Sequence, residues 1–259
     1  MIGAIAGDII GSVYEHNGIK TKEFPLFSPF SRFTDDTVLT VAVAYSILSG
    51  IPYKDAIKNT GNLYPNAGYG GTFIKWLMAN DEGPYNSWGN GSAMRVSPVG
   101  FAFNSVEEVL EQARMTAEIT HNHPEGIKGA EATALAVYLA RRGMDKIEIK
   151  TQIKDRFGYN LDRTVDKIRP IYSFDISCQG TVPEAIISFL DSDSYEDAIR
   201  NAISLGGDSD TLACIAGGIA EAYYGKIPDD IYAKVEEILP PDLMDIIKSF
   251  YKKIDVKLF

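Results

Sequence analysis

Residues 36–48 read DTVLTVAVAYSIL, and residues 210–224 read DTLACIAGGIAEAYY. Each stretch is apolar on nearly every face of a helix, the pattern of a helix buried at the centre of a domain. The second is rich in Gly and Ala, so neighbouring helices can approach it closely. Amphipathic helices are predicted around this pair at 105–120, 125–142, 183–191, 195–205, 229–239 and 242–254. Strand alternation is scarce: short runs such as 147–151 (IEIKT) could be strands, and they fit a helix equally well. The helix ends carry their own signals. Ser194 with Asp197 reads as a capping box, Pro183 suits a first helical turn, and Gly206–Gly207 would stop the helix before them. Pro228, Pro240 and Pro241 punctuate the last two helices. No repeat, low-complexity tract or long linker interrupts the pattern. The predicted fold class is all-α, one compact domain over residues 1–259.

Composition narrows the function. With 25 Lys and Arg against 35 Asp and Glu, the net charge is −10. Such a field repels phosphate backbones at long range and argues against broad nucleic-acid binding, though not against a small anion in a local pocket. Hydrophobic residues make up 45% of the chain, which rules out disorder as the general state. Cys178 and Cys214 lack partners at metal-ligand spacing and read as buried free thiols in a reducing compartment. The apolar start, MIGAIAGDIIGS, has no basic flank and carries Asp8 in its middle. It reads as neither a signal peptide nor a membrane span, so the expected location is cytoplasmic.

Five places suggest chemistry. Thr34-Asp35-Asp36-Thr37 opens the first buried helix. Thr and Asp there suit capping, but two unpaired carboxylates at a buried helix end are costly, and a cation would remove that cost. Gly206-Gly207-Asp208-Ser209-Asp210-Thr211 opens the second. Hard oxygens of this kind suit Mg²⁺, Mn²⁺ or Ca²⁺ and not Zn²⁺. Four Asp with hydroxyls are enough for two ions sharing a carboxylate, roughly 3.5–4 Å apart. Near the start, Asp8, Ser12 and Glu15 fall at i, i+4 and i+7, a polar stripe on an apolar helix, while Gly3, Gly7 and Gly11 form a second stripe for close packing. Asp8 reads there as a structural hydrogen-bonding group, and Glu15, next to a loop, as a functional one. Two glycine loops, 68–72 and 87–95, could expose amides to phosphate or could be simple turns; Trp88 could stack on a ring or be core. In Thr120-His121-Asn122-His123-Pro124, His121 is preferred as a substrate contact. With three His in the chain, a zinc site is poorly supported.

In order along the chain, GDIIGSVYE, FTDDT, GYGG, GNGSAMR, TH, GGDSDT and AYYGKIPDDI resemble the ADP-ribosylglycohydrolase family over nearly its whole length. The resemblance implies a compact orthogonal multi-helix bundle with a binuclear Mg²⁺ or Mn²⁺ site at the bottom of a cleft. It implies metal ligation by Thr34, Asp35 and Asp36 from one side and by Asp208, Asp210 and Thr211 from the other, with Glu15 beside them. Gly70, Gly71, Ser87, Gly89, Asn90 and Ser92 would hold the diphosphate and distal ribose, and Trp88 and His121 would line the pocket. The implied reaction is hydrolysis of the bond between ADP-ribose and a side chain, arginine N-linked or serine O-linked, or of a small ADP-ribose adduct. Asp35, Asp36 or Glu15 would act as base toward the water. A membrane partner is not expected, a polynucleotide is disfavoured by charge, and a monomer is the default.

Two other enzyme classes lose on spacing. A haloacid-dehalogenase-type phosphatase needs Asp-x-Asp-x-Thr, and Thr211 comes one position early. A prenyl-diphosphate synthase needs Asp-Asp-x-x-Asp, and Leu39 holds the last place. An inactive ADP-ribose sensor of the same fold would be marked by loss of the acidic ligands or the glutamate, and all are present.

Overall fold

The computed structural model describes residues 1–80 and 82–254. Among the described residues there is no strand, only one isolated bridge between Gly89 and Ser177. In chain order the helices begin with α1 (Ile2–Gly11), α2 (Asp35–Ser49), α3 (Tyr53–Leu63), α4 (Gly71–Met78) and α5 (Gly91–Met94). There follow α6 (Ser97–Ala102), α7 (Val106–Glu118), α8 (Pro124–Arg141), α9 (Lys146–Phe157) and α10 (Val165–Ile168). The last are α11 (Cys178–Leu190), α12 (Tyr195–Ser204), α13 (Ser209–Tyr224), α14 (Asp229–Ile238) and α15 (Pro241–Lys253). The all-α expectation holds, and IEIKT resolves as helix within α9.

The centre is a pair of helices. α13 packs against α1, and α8, α11 and α12 surround it; α2 packs on α1, α3, α6 and α15. The Gly3–Gly7–Gly11 stripe explains the pairing. A Cβ on Gly7 would lie 2.1 Å from the Ala213 carbonyl oxygen, and one on Gly3 would lie 2.6 Å from that of Gly217. Only hydrogen fits there, so the two backbones touch directly. All ten residues of α1 are buried. The Met1 ammonium is buried beside it on the Glu221 carboxylate, which also accepts from Gly3 N and the Tyr251 hydroxyl. No described helix is long and apolar enough to cross a membrane. Cys178 and Cys214 are both free and buried.

Three local expectations need correction. Pro183 lies inside α11, not at its first turn: the helix starts at Cys178, where the Ser177 side chain accepts from Gly180 N. One missing N–H near the start of a buried helix is tolerated because packing holds the turn. Ser194 does cap α12, but Asp197 accepts from Asp193 N and leaves the box incomplete. The polar stripe through Glu15 is broken, since α1 ends at Gly11. There Ser12 Oγ donates to Ile9 O and accepts from Arg32 N, so the serine bonds its own backbone instead of continuing the helix. Glu15 sits in the loop that follows.

Candidate active site

The heads of α1's partner helices meet end to side. Asp8, in the last turn of α1, accepts four hydrogen bonds: from the backbone N and hydroxyl of Thr34 (2.9 and 2.7 Å) and from those of Thr37. That fastens the head of α2 to α1. Thr34 also caps α2 by accepting from Asp36 N. Asp36, 2% exposed, accepts a long hydrogen bond from the Thr211 hydroxyl at Oδ2 (3.4 Å), and its Oδ1 has no hydrogen-bond partner among the described residues. Across the gap, Asp210 Oδ1 accepts from Thr211 N at 2.9 Å, and Asp208 Oδ2 accepts from the Asn90 amide at 2.7 Å.

Carboxylate oxygens from Asp8, Asp36 and Asp210 all lie within 4.8 Å of one another, as do those of Glu15, Asp208 and Asp210. Two acidic triads therefore share Asp210. Burial is the leading cause that pushes each of these carboxyls above its ordinary pKa; Asp8 rises to about 6, opposed by its bonds from Thr34 and Thr37. Asp35 is pushed up to about 8, by burial first and then by the Asp8 charge. An orphaned, buried carboxylate oxygen within a cluster that resists ionisation is what a hard divalent cation would satisfy. The donor set fits such an ion.

Above the acids opens a cleft of about 550 Å³. Glu15, Asp35, Asp208 and Asp210 line its floor, and Gly70, Gly71, Ser87, Trp88, Gly89, Asn90 and His121 line the walls. The two distant acid clusters and both glycine loops are thus brought to one place. Asn90 ties them together, its amide reaching Thr181 Oγ1 as well as Asp208. Trp88 is half exposed at the mouth rather than core. Ser92 stands apart: fully buried under its loop, its hydroxyl donates to Gly126 O. Thr34, Asp36 and Thr211 are buried and do not line the cleft.

Several site residues escaped the sequence reading. Asp8 joins a triad as well as bonding α2, and an Asp in mid-run of a buried apolar helix beside a glycine stripe was its signal. Tyr85, Phe174 and Ile176 also line the cleft; the last two are exposed apolar side chains in a loop without periodicity, so no pattern marked them.

Comparison with known proteins agrees. The chain is 28% identical to the ADP-ribosylhydrolase ARH3 of Mus musculus, covering 94% of this chain and 88% of that one. It is 25% identical to the ADP-ribosylarginine hydrolase Tri1 of Pseudomonas putida, covering 87% of this chain and 69% of that one. A solved structure titled ADP-ribosylglycohydrolase-related protein complex superimposes with a TM-score of 0.74 over 97% of this chain and 95% of its own, at 24% identity. The family model for ADP-ribosylglycohydrolase matches residues 1–257. The chain belongs to the ADP-ribosylglycohydrolase family.

Proposed function

We propose that this chain hydrolyses the glycosidic bond between ADP-ribose and a modified side chain, with the two acidic triads as its metal-binding floor. The observation that carries this is the pair of triads sharing Asp210, with Asp36 Oδ1 unpartnered among the described residues, under a cleft walled by glycine loops. Asp8, Asp36 and Asp210 would hold one Mg²⁺ or Mn²⁺, and Glu15, Asp208 and Asp210 the other, with Thr34 and Thr211 as further oxygens. When bound, such ions orient ribose hydroxyls and acidify water.

The chain's own residues then divide the work. Water adds to the anomeric carbon as the bond to the side-chain nitrogen or oxygen breaks, and positive charge develops on the ribose. Of the three carboxylates expected to act as base, Asp36 and Glu15 each belong to a triad. Asp35 lines the cleft outside both, so its carboxylate is the one free to take the water's proton and pass it to the departing group. Its burial favours the protonated form and makes its ionised form a strong acceptor. The backbone amides of Gly70 and Gly71, with the Ser87 hydroxyl, would face the diphosphate and distal ribose, while Gly89 and Asn90, whose own amides donate to Ser87 Oγ and Ile176 O, shape the wall. Trp88, Phe174 and Ile176 offer an apolar rim for the base. These remote contacts orient the reacting carbon over the acids.

We take the chain as one domain, acting as a monomer in a reducing, cytoplasmic setting. One buried hydrophobic cluster among the described residues supports the single domain, and two buried free thiols support the reducing setting. The test is ADP-ribose release from arginine-linked and serine-linked peptides with Mg²⁺, with Mn²⁺ and with chelator. Metal-dependent release from one linkage names the leaving group; ADP-ribose binding without release from either would overturn the assignment in favour of a sensor.

A further inference from the structure

One buried cation has no part in that scheme. Arg95 is fully buried at the edge of the cleft and is the sole Lys or Arg among the described residues that line it. Its Nη2 donates to Thr116 O at 2.6 Å and to Thr120 Oγ1 at 2.9 Å. Thr120, also fully buried, meets His121 Nδ1 through the same hydroxyl at 2.7 Å.

The hydrogens in this chain can be assigned. A guanidinium only donates, so Thr120 Oγ1 accepts from Arg95. The hydroxyl's own hydrogen then needs an acceptor, and among the described residues the one within reach is His121 Nδ1. Were Nδ1 to donate instead, that hydrogen would be buried without an acceptor among the described residues, a costly loss. A charged imidazolium is disfavoured as well, because burial and the nearby guanidinium hold the ring's pKa well below its ordinary value. Nδ1 therefore accepts, and Nε2 carries the ring hydrogen.

Nε2 points at the glycine loop. It lies 3.1 Å from where a Cβ on Gly91 would sit and 3.6 Å from where one on Gly89 would sit, and it bonds no described residue. A ligand oxygen arriving there meets a neutral donor fixed in direction.

We propose that Arg95 and Thr120 are positioning residues that lock His121 as the neutral Nε2–H tautomer, aimed at an anionic or hydroxyl oxygen of the substrate held against Gly89–Gly91. The identity of that ligand rests on the ADP-ribose reading; the lock itself does not. With three His in the chain, ¹⁵N-histidine labelling of the Mg²⁺-loaded protein resolves each ring. Long-range ¹H–¹⁵N correlations at neutral pH should show His121 as Nε2–H in the wild type and in Thr120→Ser. In Thr120→Val the Nδ1–H form should appear, and ADP-ribose affinity by calorimetry should fall about tenfold, restored by Thr120→Ser. An Nδ1–H ring in the wild type overturns the proposal even if Thr120→Val fails to fold. So does a folded Thr120→Val with unchanged tautomer and affinity. If no form binds ADP-ribose while the wild-type ring is Nε2–H, the lock is supported and the functional reading is what fails.

Discussion

The heads of α2 and α13 carry the same kinds of residue, Asp and Thr opening a fully apolar helix, yet the fold uses them differently. At α2 the acids and hydroxyls are partly consumed by structure: Thr34 caps Asp36 N, and Asp8 gathers both Thr34 and Thr37. At α13 no side chain caps the helix, and Asp208 turns instead to Asn90 and the cleft. Helix capping accounts for Thr34 in the first cluster but for neither Asp35 nor Asp36, and for none of the second. What unites them is Asp210, within reach of acids from both sides.

That contrast can be attacked at several strengths. The largest effect is expected from Asp210→Ala: release of ADP-ribose should fall on the order of 10³-fold. Mg²⁺ calorimetry should lose both binding events, and retention of either would show that the triads do not share this residue. Asp8→Asn comes next. An amide nitrogen would face donors that now reach a carboxylate, so urea unfolding should show a loss of about 3 kcal/mol. Gly7→Ala tests the spacing between the regions, and with its Cβ 2.1 Å from Ala213 O it should cost about 2 kcal/mol in the same assay. Asp36→Asn sharpens the comparison by its sign. In chelator it should raise stability by about 1 kcal/mol at neutral pH, since it removes a buried carboxyl that is costly to ionise and weakly bonded. Equal destabilisation by the Asp8 and Asp36 variants would erase the difference drawn here between a satisfied and an orphaned carboxylate.

A further test is pH dependence, read as a change in slope. Asp35 has its folded pKa raised to about 8, far above its unfolded value near 4. The folded state therefore binds the extra proton, and the stabilisation is complete below about pH 4 and lost as pH rises toward 8. Metal-free protein should lower its urea midpoint between pH 5 and 8, with a shallower slope in Asp35→Asn. A rising midpoint would contradict the assigned direction.

Much of this was legible in sequence because it is local. Adjacent Asp residues, glycine loops and apolar runs announce themselves within a few positions, and both buried helices were recovered. What hid was either long-range or weakly patterned. The meeting of Asp8 with Asp36 and Asp210 depends on three helices packing, which spacing along the chain cannot reveal. α3 went unpredicted because its buried face, Tyr53, Ala56, Ile57, Thr60 and Gly61, keeps helical spacing but ends in Thr and Gly. Ser92 resembles its loop neighbours in type, and only the fold shows its hydroxyl turned down onto Gly126.

The direct contact of α1 with α13 has a consequence for synthesis. α1 is made roughly two hundred residues before its partner, which at roughly 5–20 residues per second is a wait of about 10–40 s. Through that interval a segment destined to be buried on every side has no native surface to cover it. Slow translation or a limiting supply of chaperone should therefore lower the yield of soluble protein well before it alters the activity of molecules that have folded.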